Sequence, residues 1–491
     1  MFRQAVMGGL VPAWSKPVET SLEKHAMKKA VVAVSSRKTA SRFATSLKQN
    51  LNNRISLWAL IGLASVALME QANAGGIYRD GAGARALSLG GASVGQPNSA
   101  LEAMQSNPAS LSTIKNPQLQ LGLGGALPVG EFSNVANSGA DLDDSFGAWP
   151  EVAFAFPLAE TPVTLGLAFI PDAALGGEWS YMDAPGGLGG TTSYGFQEHR
   201  SEITALRMTF AASVEVTETL SFGAGVGLVY NRNQLHAPYI FQTFLPGFKT
   251  LLDLKTDGFG VNGNFGLVYR PCEKISLGLS YQTSTHVNSK GHASGNAGVQ
   301  LDNLFGPGVR PDFHYDAEVD NVFPQMVSAG LSWQFTDRVR GVAQVDWINW
   351  ADAFDELVIR LNNGNNNDIN GVVGTPNIYD AVPLRWEDQF VYRLGVEYQA
   401  TDAIALRAGY TYGKSPVPDS TLTPLTAAIM EHKLGGGVGW KNDRYFVDAA
   451  YQYSLPASQR VGTSALQAGE YSNSKTEVSV HMLAVTFGMN F

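Results

Sequence analysis

The last ten residues, Met482-Leu483-Ala484-Val485-Thr486-Phe487-Gly488-Met489-Asn490-Phe491, decide how the chain is read. Leu483, Val485, Phe487, Met489 and Phe491 form one set; Met482, Ala484, Thr486, Gly488 and Asn490 form the other. A period of two places the sets on opposite faces of a β-strand. In a soluble sandwich the apolar face turns inward and the other is charged and wet, whereas here the second face is small and polar. That pairing suits lipid on one side and a narrow polar lumen on the other.

The same split recurs upstream. Leu220, Phe222, Ala224, Val226, Leu228 and Tyr230 alternate with Ser221, Gly223, Gly225 and Gly227; Ile275, Leu277, Leu279 and Tyr281 alternate with Ser276, Gly278, Ser280 and Gln282. Fourteen such segments are legible: 118–126, 150–158, 161–170, 201–214, 218–231, 257–270, 274–287, 323–335, 338–361, 388–399, 403–413, 433–441, 444–454 and 476–491. The ninth is long, and a bulge near Trp350 is expected. Short connections (around Glu160, Thr217, Cys272, Asp337, Thr401 and Asn442) alternate with long ones near 127–149, 171–200, 232–256, 288–322, 362–387, 414–432 and 455–475. This rhythm predicts an all-β fold: a transmembrane antiparallel β-barrel of about 14 strands over 118–491, both ends periplasmic and no edge left unpaired in hydrocarbon. Tyr230, Tyr269, Tyr281, Trp333, Trp347, Tyr398, Tyr412, Trp440 and Tyr453, near strand ends, fit interfacial girdles.

Composition agrees. Of 491 residues 44% are hydrophobic and only 16% charged, with 53 Gly, and the mean hydropathy is −0.05. A soluble enzyme usually carries about a quarter charged residues, and a helical transporter needs repeated apolar runs of roughly 18 or more. The chain has one comparable run, 55–69, preceded by Arg54 and followed by Ala72-Asn73-Ala74. This is the layout of a secretory signal cleaved after Ala74, the alternative being an uncleaved inner-membrane anchor. Residues 1–74 therefore read as an extended signal or targeting segment, in which Met27 is an alternative start. They hold ten Lys or Arg and three Asp or Glu, leaving 24 basic against 40 acidic groups and a net charge of −16. So acidic an exported chain is a poor partner for nucleic acid. The single cysteine, Cys272, excludes a disulfide framework and a cysteine metal cluster.

Residues 75–117 are rich in Gly, Ala and Ser and lack sustained alternation. Their economical place is inside the lumen as an N-terminal hatch; a disordered periplasmic tail is the alternative.

The motifs of 75–491 resemble, in order, the long-chain fatty acid and aromatic hydrocarbon transporter family of Gram-negative outer membranes. They are Gly81-x-Gly83-x-Arg85-Ala86, Gly90-Gly91-Ala92, Ser106-Asn107-Pro108-Ala109-Ser110-Leu111, Tyr281-Gln282-Thr283-Ser284 with His286, Phe323-Pro324, Val345-Asp346-Trp347-Ile348-Asn349-Trp350, Trp386-Glu387-Asp388, Leu406-Arg407-Ala408-Gly409-Tyr410, Ser415-Pro416-Val417-Pro418-Asp419 and Leu422-Thr423-Pro424. The resemblance implies a monomeric outer-membrane barrel with an N-terminal hatch. Hydrophobic ligands would be captured by extracellular loops, held in the lumen and released sideways through an opening in the wall when the hatch rearranges. Outer-membrane lipid or lipopolysaccharide and the barrel-assembly machinery would be its other partners, and no cofactor is implied.

Five sets of residues are candidates for that chemistry. Tyr239, Ile240, Phe241, Phe244, Leu245, Phe248, Leu251 and Leu252 put eight apolar side chains in the long connection 232–256, where an exposed patch would mark ligand capture and a packed one would form a lid. Val299, Leu301, Leu304 and Phe305 form a weaker patch. Strand parity turns Arg207, Arg340, Arg393 and Arg407 into the lumen. There an arginine could clamp a carboxylate or be paired with acids such as Asp346 or Glu397. Asn107, Pro108 and Ala109 form a hatch corner, because proline fixes a turn and Asn bonds its own backbone. Phe491 reads as the terminal aromatic of a membrane-insertion signal.

Two other classes fit less well. A hydrolase needs nucleophile, base and orienting group together, but the histidines after the signal (199, 236, 286, 292, 314, 432 and 481) are scattered without metal spacing. A general diffusion porin leaves the hatch and the apolar loop without a purpose.

Overall fold

The computed structural model describes residues 78, 80–95, 99–143, 146–469 and 471–491. The expected signal and its cleavage site lie outside the described residues. Fourteen antiparallel strands close into a barrel: β1 (Gln118–Ser133), β2 (Gly147–Pro157), β3 (Val163–Met182), β4 (Phe196–Thr217), β5 (Leu220–Ile240), β6 (Lys249–Cys272), β7 (Ile275–Gln282), β8 (Met326–Gln334), β9 (Val339–Ile348), β10 (Gln389–Gln399), β11 (Ile404–Gly413), β12 (His432–Lys441), β13 (Tyr445–Val461) and β14 (Ser474–Asn490). Closure is made by β1 against β14, in register from Gln118↔Asn490 to Ser133↔Lys475. Every strand therefore has a partner on both sides, which hydrocarbon requires.

The alternation places the faces as expected. Leu483 and Val485 are 54% and 52% exposed on the outer wall, while Met482 and Ala484 are 9% and 7% exposed inside. Trp333, Tyr398 and Trp440 are exposed near the short-turn end, Tyr281 and Tyr392 toward the other, as two interfacial girdles would be.

The long-loop end departs from the segment limits read in the sequence. Residues 232–256 are not a loop: β5 and β6 continue as a paired hairpin from Leu220↔Tyr269 to Ile240↔Lys249. The predicted segment 274–287 breaks after Gln282, and Thr285–Asn296 instead joins the upper half of β6, with Leu251↔Asn296 to Asp257↔Lys290. It begins a crown sheet with Asp312–Phe323, Glu356–Asn362 and Ile378–Pro383. The ninth segment carries no bulge at Trp350; β9 stops at Ile348 and a single helical turn, Trp350–Ala353, turns Trp350 into the interior. In the hairpin and the crown strands the period of two continues, because the crown also has one apolar and one wet face.

Candidate functional site

The described part of the hatch fills the lumen as two short helices, α1 (Gly83–Ser88) and α2 (Ala100–Ser106), followed by the 3-10 turn Pro108–Thr113. Asn107 makes the corner. Its Oδ1 accepts from Ala109 N (3.2 Å), capping the turn, while its Nδ2 donates to Val94 O and Leu267 O (both 3.1 Å). Pro108 occupies the first turn, where a missing N–H costs nothing. The wall leaves room by omitting side chains: a methyl at Gly223 would lie 2.2 Å from Ala109 N, and one at Gly409 2.2 Å from Gly90 N. The small face read along these strands is therefore the hatch's seat.

Charge fastens it. Asp80 of the hatch accepts from Arg393 Nη1 (2.9 Å) on β10 and from Lys433 Nζ (2.6 Å) on β12. Arg393 also holds Asp346 on β9 (2.7 Å) and donates to Gly90 O (3.1 Å). Arg85 of α1 spans Glu102 of α2 (2.9 Å) and Glu397 of β10 (3.0 Å). Glu397 in turn takes Arg407 (2.6 Å) and Arg340 (3.2 Å), and Arg407 takes Asp448 (2.6 Å). On the opposite wall Arg207 pairs with Asp172 (3.1 Å) and donates to Gln282 Oε1 (2.5 Å). All four arginines named from strand parity line the lumen, and each already faces a carboxylate of the chain. Breaking a buried pair by removing one partner strands the other, at a cost of about 3–5 kcal/mol. The parity signal could place these arginines; it carried no sign of Asp80 or Lys433, their hatch-side and wall-side counterparts.

Above the Asp80 latch lies an aromatic box. The Trp350 ring packs on Tyr78 (5.4 Å between centroids), Phe354 (5.2 Å) and Trp386 (5.3 Å), and Phe354 on Trp386 (4.8 Å). A cavity of about 60 Å³ runs from these rings past Ile348, Val391 and Met430 down to Asp80, Arg393 and Lys433. Gln389, Thr411 and Glu431 also line it, so aromatic and polar side chains share its wall, and at this volume it is smaller than the ~300 Å³ or more of a usual ligand site. Trp350 and Trp386 stood in the motifs quoted above without a role; Phe354 had no signal of its own. A wider cavity of about 760 Å³, lined by Arg338, Arg340, Glu397, Arg407 and Asp448, opens at the short-turn end and is too charged for an apolar ligand.

At the crown the hairpin tip does not present its apolar side chains to solvent. Ile240, Phe241, Phe248 and Leu252 are buried, and Tyr239, Phe244, Leu245 and Leu251 are partly so. They pack against Phe313, Tyr315, Leu361, Ile369 and Ile378, because the second crown strands supply an apolar face for them. Tyr239 OH donates to Asp380 (2.5 Å), which also accepts from Thr243 N (2.6 Å) and fixes the tip. The cavity between tip and crown is about 20 Å³, room for roughly one water. The weaker patch is the more open one: Leu301 is buried, but Val299, Leu304 and Phe305 are exposed on the helix Gly298–Phe305. Lower in the crown a fully buried Lys249 meets Asp183 at 2.5 Å. His199 stacks on Tyr181 with its Nδ1 at Gln197 O (3.1 Å), and burial pushes its imidazole down to about 4.

A closed, lipid-facing barrel whose lumen is filled by its own N-terminal segment is a plugged channel of the outer-membrane kind. The sequence profile of the outer membrane protein transport family (OMPP1/FadL/TodX) matches residues 64–491, and the chain belongs to that family. The family consists of Gram-negative outer-membrane β-barrels and is one of transport channels. The fold is similar to the crystal structure of a Pseudomonas aeruginosa FadL homologue, with TM-score 0.68 at 16% identity over 85% of this chain and 100% of that one. It is also similar to the P. putida toluene transporter TodX (TM-score 0.67, 21% identity, 84% and 99% covered) and the Ralstonia pickettii toluene transporter TbuX (TM-score 0.62, 18%, 82% and 98%). A search of curated proteins finds no match.

Proposed function

We propose that this protein takes up hydrophobic compounds across the outer membrane. A ligand is captured at the crown, moves to the aromatic box and leaves when the hatch shifts. The observation that carries the reading is the box itself: four aromatic rings standing on a hatch residue, Asp80, whose two ion pairs reach separate wall strands. In this reading Val299, Leu304 and Phe305 are the first landing surface, the hairpin tip around Phe244 is the lid that opens, and the four lumenal arginines serve the latch.

Sideways release is supported at the β2–β3 seam. The two strands pair only from Val152↔Phe169 to Pro157↔Thr164; above that, β3 skips a register at Asp172 and stays paired with β4, meeting the chain on its other side again at Leu142↔Trp179. Hatch residue Tyr78 forms an isolated bridge with Ala173 at this seam and donates to Pro324 O (3.1 Å). Moving the hatch would therefore unseal the wall where pairing is already missing.

Toluene is the named cargo of two similar structures; a fatty acid is the alternative for this chain. The test is liposome swelling beside cellular hydrocarbon uptake. The intact protein should exclude arabinose, deletion of 75–117 should admit it, and cells lacking the protein should lose uptake. Free sugar passage through the intact protein would make it a diffusion porin and overturn the proposal.

A further inference from the structure

The lumen is not apolar all round. The inner face of β5–β7 carries a ladder of amides, and its two layers differ. In the upper layer most of them satisfy one another: Asn231 Oδ1 accepts from Asn233 Nδ2 (3.1 Å), Ser289 Oγ (2.7 Å) and Asn321 Nδ2 (3.0 Å), while Asn233 Oδ1 stays open. In the lower layer they do not. Asn262 is 3% exposed and neither its Oδ1 nor its Nδ2 has a partner, so turning the amide over changes nothing. Asn264 is 5% exposed with Nδ2 unpaired, and it lies directly across from Gln282. Arg207 Nε and Gln105 Oε1 are unpaired as well. Asn262, Arg207, Gln282 and Gln105 converge, with Asn264 across the strand pair from Gln282. A methyl at Gly227 would meet both Asn262 Oδ1 (2.3 Å) and Arg207 Cδ (2.9 Å), Arg207 holds Gln282, and its Nη2 reaches Gln105 O (3.5 Å).

Buried polar groups are paired as a rule, and those that are not call for a physical reason. Here the missing partner has a recognisable chemistry. Both donors (Asn262 Nδ2, Asn264 Nδ2, Arg207 Nε) and acceptors (Asn262 Oδ1, Gln105 Oε1) are open, which one hydroxyl or amide can answer with both its functions. A carboxylate answers only the donors. It would also find no free positive charge, because Arg207 is already neutralised by Asp172 at 3.1 Å. The same inner face continues upward as Val229, Val287 and Phe323, part of the apolar cluster that includes Trp350 and Trp386.

Resting on the uptake reading above, we infer that Asn262, Asn264, Gln105 and Arg207 form a head-group subsite, and that the cargo is an amphiphile with a neutral oxygenated head, such as an alcohol, whose tail lies along Val229 and Phe323.

The full chain in lipid nanodiscs, titrated with 1-decanol, decane and decanoate, tests this. Asn262→Leu and the double change Asn262→Leu/Asn264→Leu remove the open groups while adding apolar surface. They should leave the barrel heat-modifiable, weaken decanol about tenfold or more, and leave decane within about twofold. Asn264→Leu alone gives the same readout should the double variant not fold. Equal effects on decanol and decane would mean that water alone answers these amides, and would overturn the subsite. So would a wild-type preference for decanoate that Asn262→Leu abolishes. Failure of the wild type to bind any of the three would instead sink the uptake reading.

Discussion

Replacing Asp80 by asparagine removes one negative charge from the hatch and keeps its shape. In the wild type that carboxylate faces Arg393 Nη1 at 2.9 Å and Lys433 Nζ at 2.6 Å. Arg393 retains Asp346, so its charge stays compensated. Lys433 has no other ion pair among the described residues, and its side chain is 12% exposed. The main cost is therefore one stranded, mostly buried ammonium, at the lower end of the range for a broken buried pair, about 3 kcal/mol. That cost falls on the seated state alone, because in an unseated hatch both groups meet water. About 3 kcal/mol is roughly a 100-fold rise in the unseated population.

Amide hydrogen exchange read by mass spectrometry reports that population directly. Protection of α1 should fall by roughly 100-fold, while the β1–β14 seam keeps its wild-type rate, since closure does not involve Asp80. Adding Lys433→Met to Asp80→Asn should recover most of the loss, because replacing both members of a buried pair by uncharged groups is close to neutral. If α1 in Asp80→Asn stays within about threefold of wild type, or if the double variant is worse than the single one, the ion pairs do not hold the hatch and the latch argument is wrong.

The other predictions concern the crown, the acid range and assembly. Replacing Phe241, Phe244 and Phe248 by Ser should lower hydrocarbon uptake while the barrel remains heat-modifiable; because Phe241 and Phe248 are buried, each should also loosen the crown by about 3 kcal/mol, seen as faster proteolysis of 241–248, and unchanged uptake would remove the hairpin from the pathway. His199 is held neutral when folded, so below its free value near 6.5 the opened crown takes up a proton that the closed crown refuses. Stability is complete above pH 6.5 and is lost down to about 4, by about 3 kcal/mol in all. His199→Gln should flatten the pH dependence of hydrogen exchange in 196–200, and a wild-type crown as protected at pH 4.5 as at pH 7.5 would contradict it. Deleting Phe491, whose backbone N–H donates to Pro117 O (2.9 Å) next to the closing seam, should lower outer-membrane levels several-fold; normal levels would deny it a part in insertion.

What the sequence made legible follows from what is local. A strand's two faces are set by neighbours two residues apart, so all fourteen wall strands could be placed by parity, and with them the inward turn of Arg207, Arg340, Arg393 and Arg407. Where a strand stops being wall and becomes crown is not local. On β6 Leu252 and Leu254 lie on the inward parity, buried under crown strands, and Phe259 and Val261 on the outward parity at the membrane wall, so the apolar set changes face while the period of two runs on unbroken. The same limit hid the aromatic box, whose Tyr78, Trp350 and Trp386 come from three distant parts of the chain.

The charges show why placing a side chain leaves its purpose open. An inward arginine is ambiguous until its partner is known. Asp80 is 313 positions from Arg393 and 353 from Lys433, a separation at which no spacing rule operates. With the partners in place each of the four arginines faces a carboxylate of the chain, the second of the two readings open in the sequence, and Arg393 joins that network to the glycine-rich hatch through Asp80. Among the polar groups that remain open are Asn262 and Asn264 on β6. They are amides rather than charges, groups that composition and strand parity had counted only as small, polar filler, and the head-group subsite inferred above rests on them.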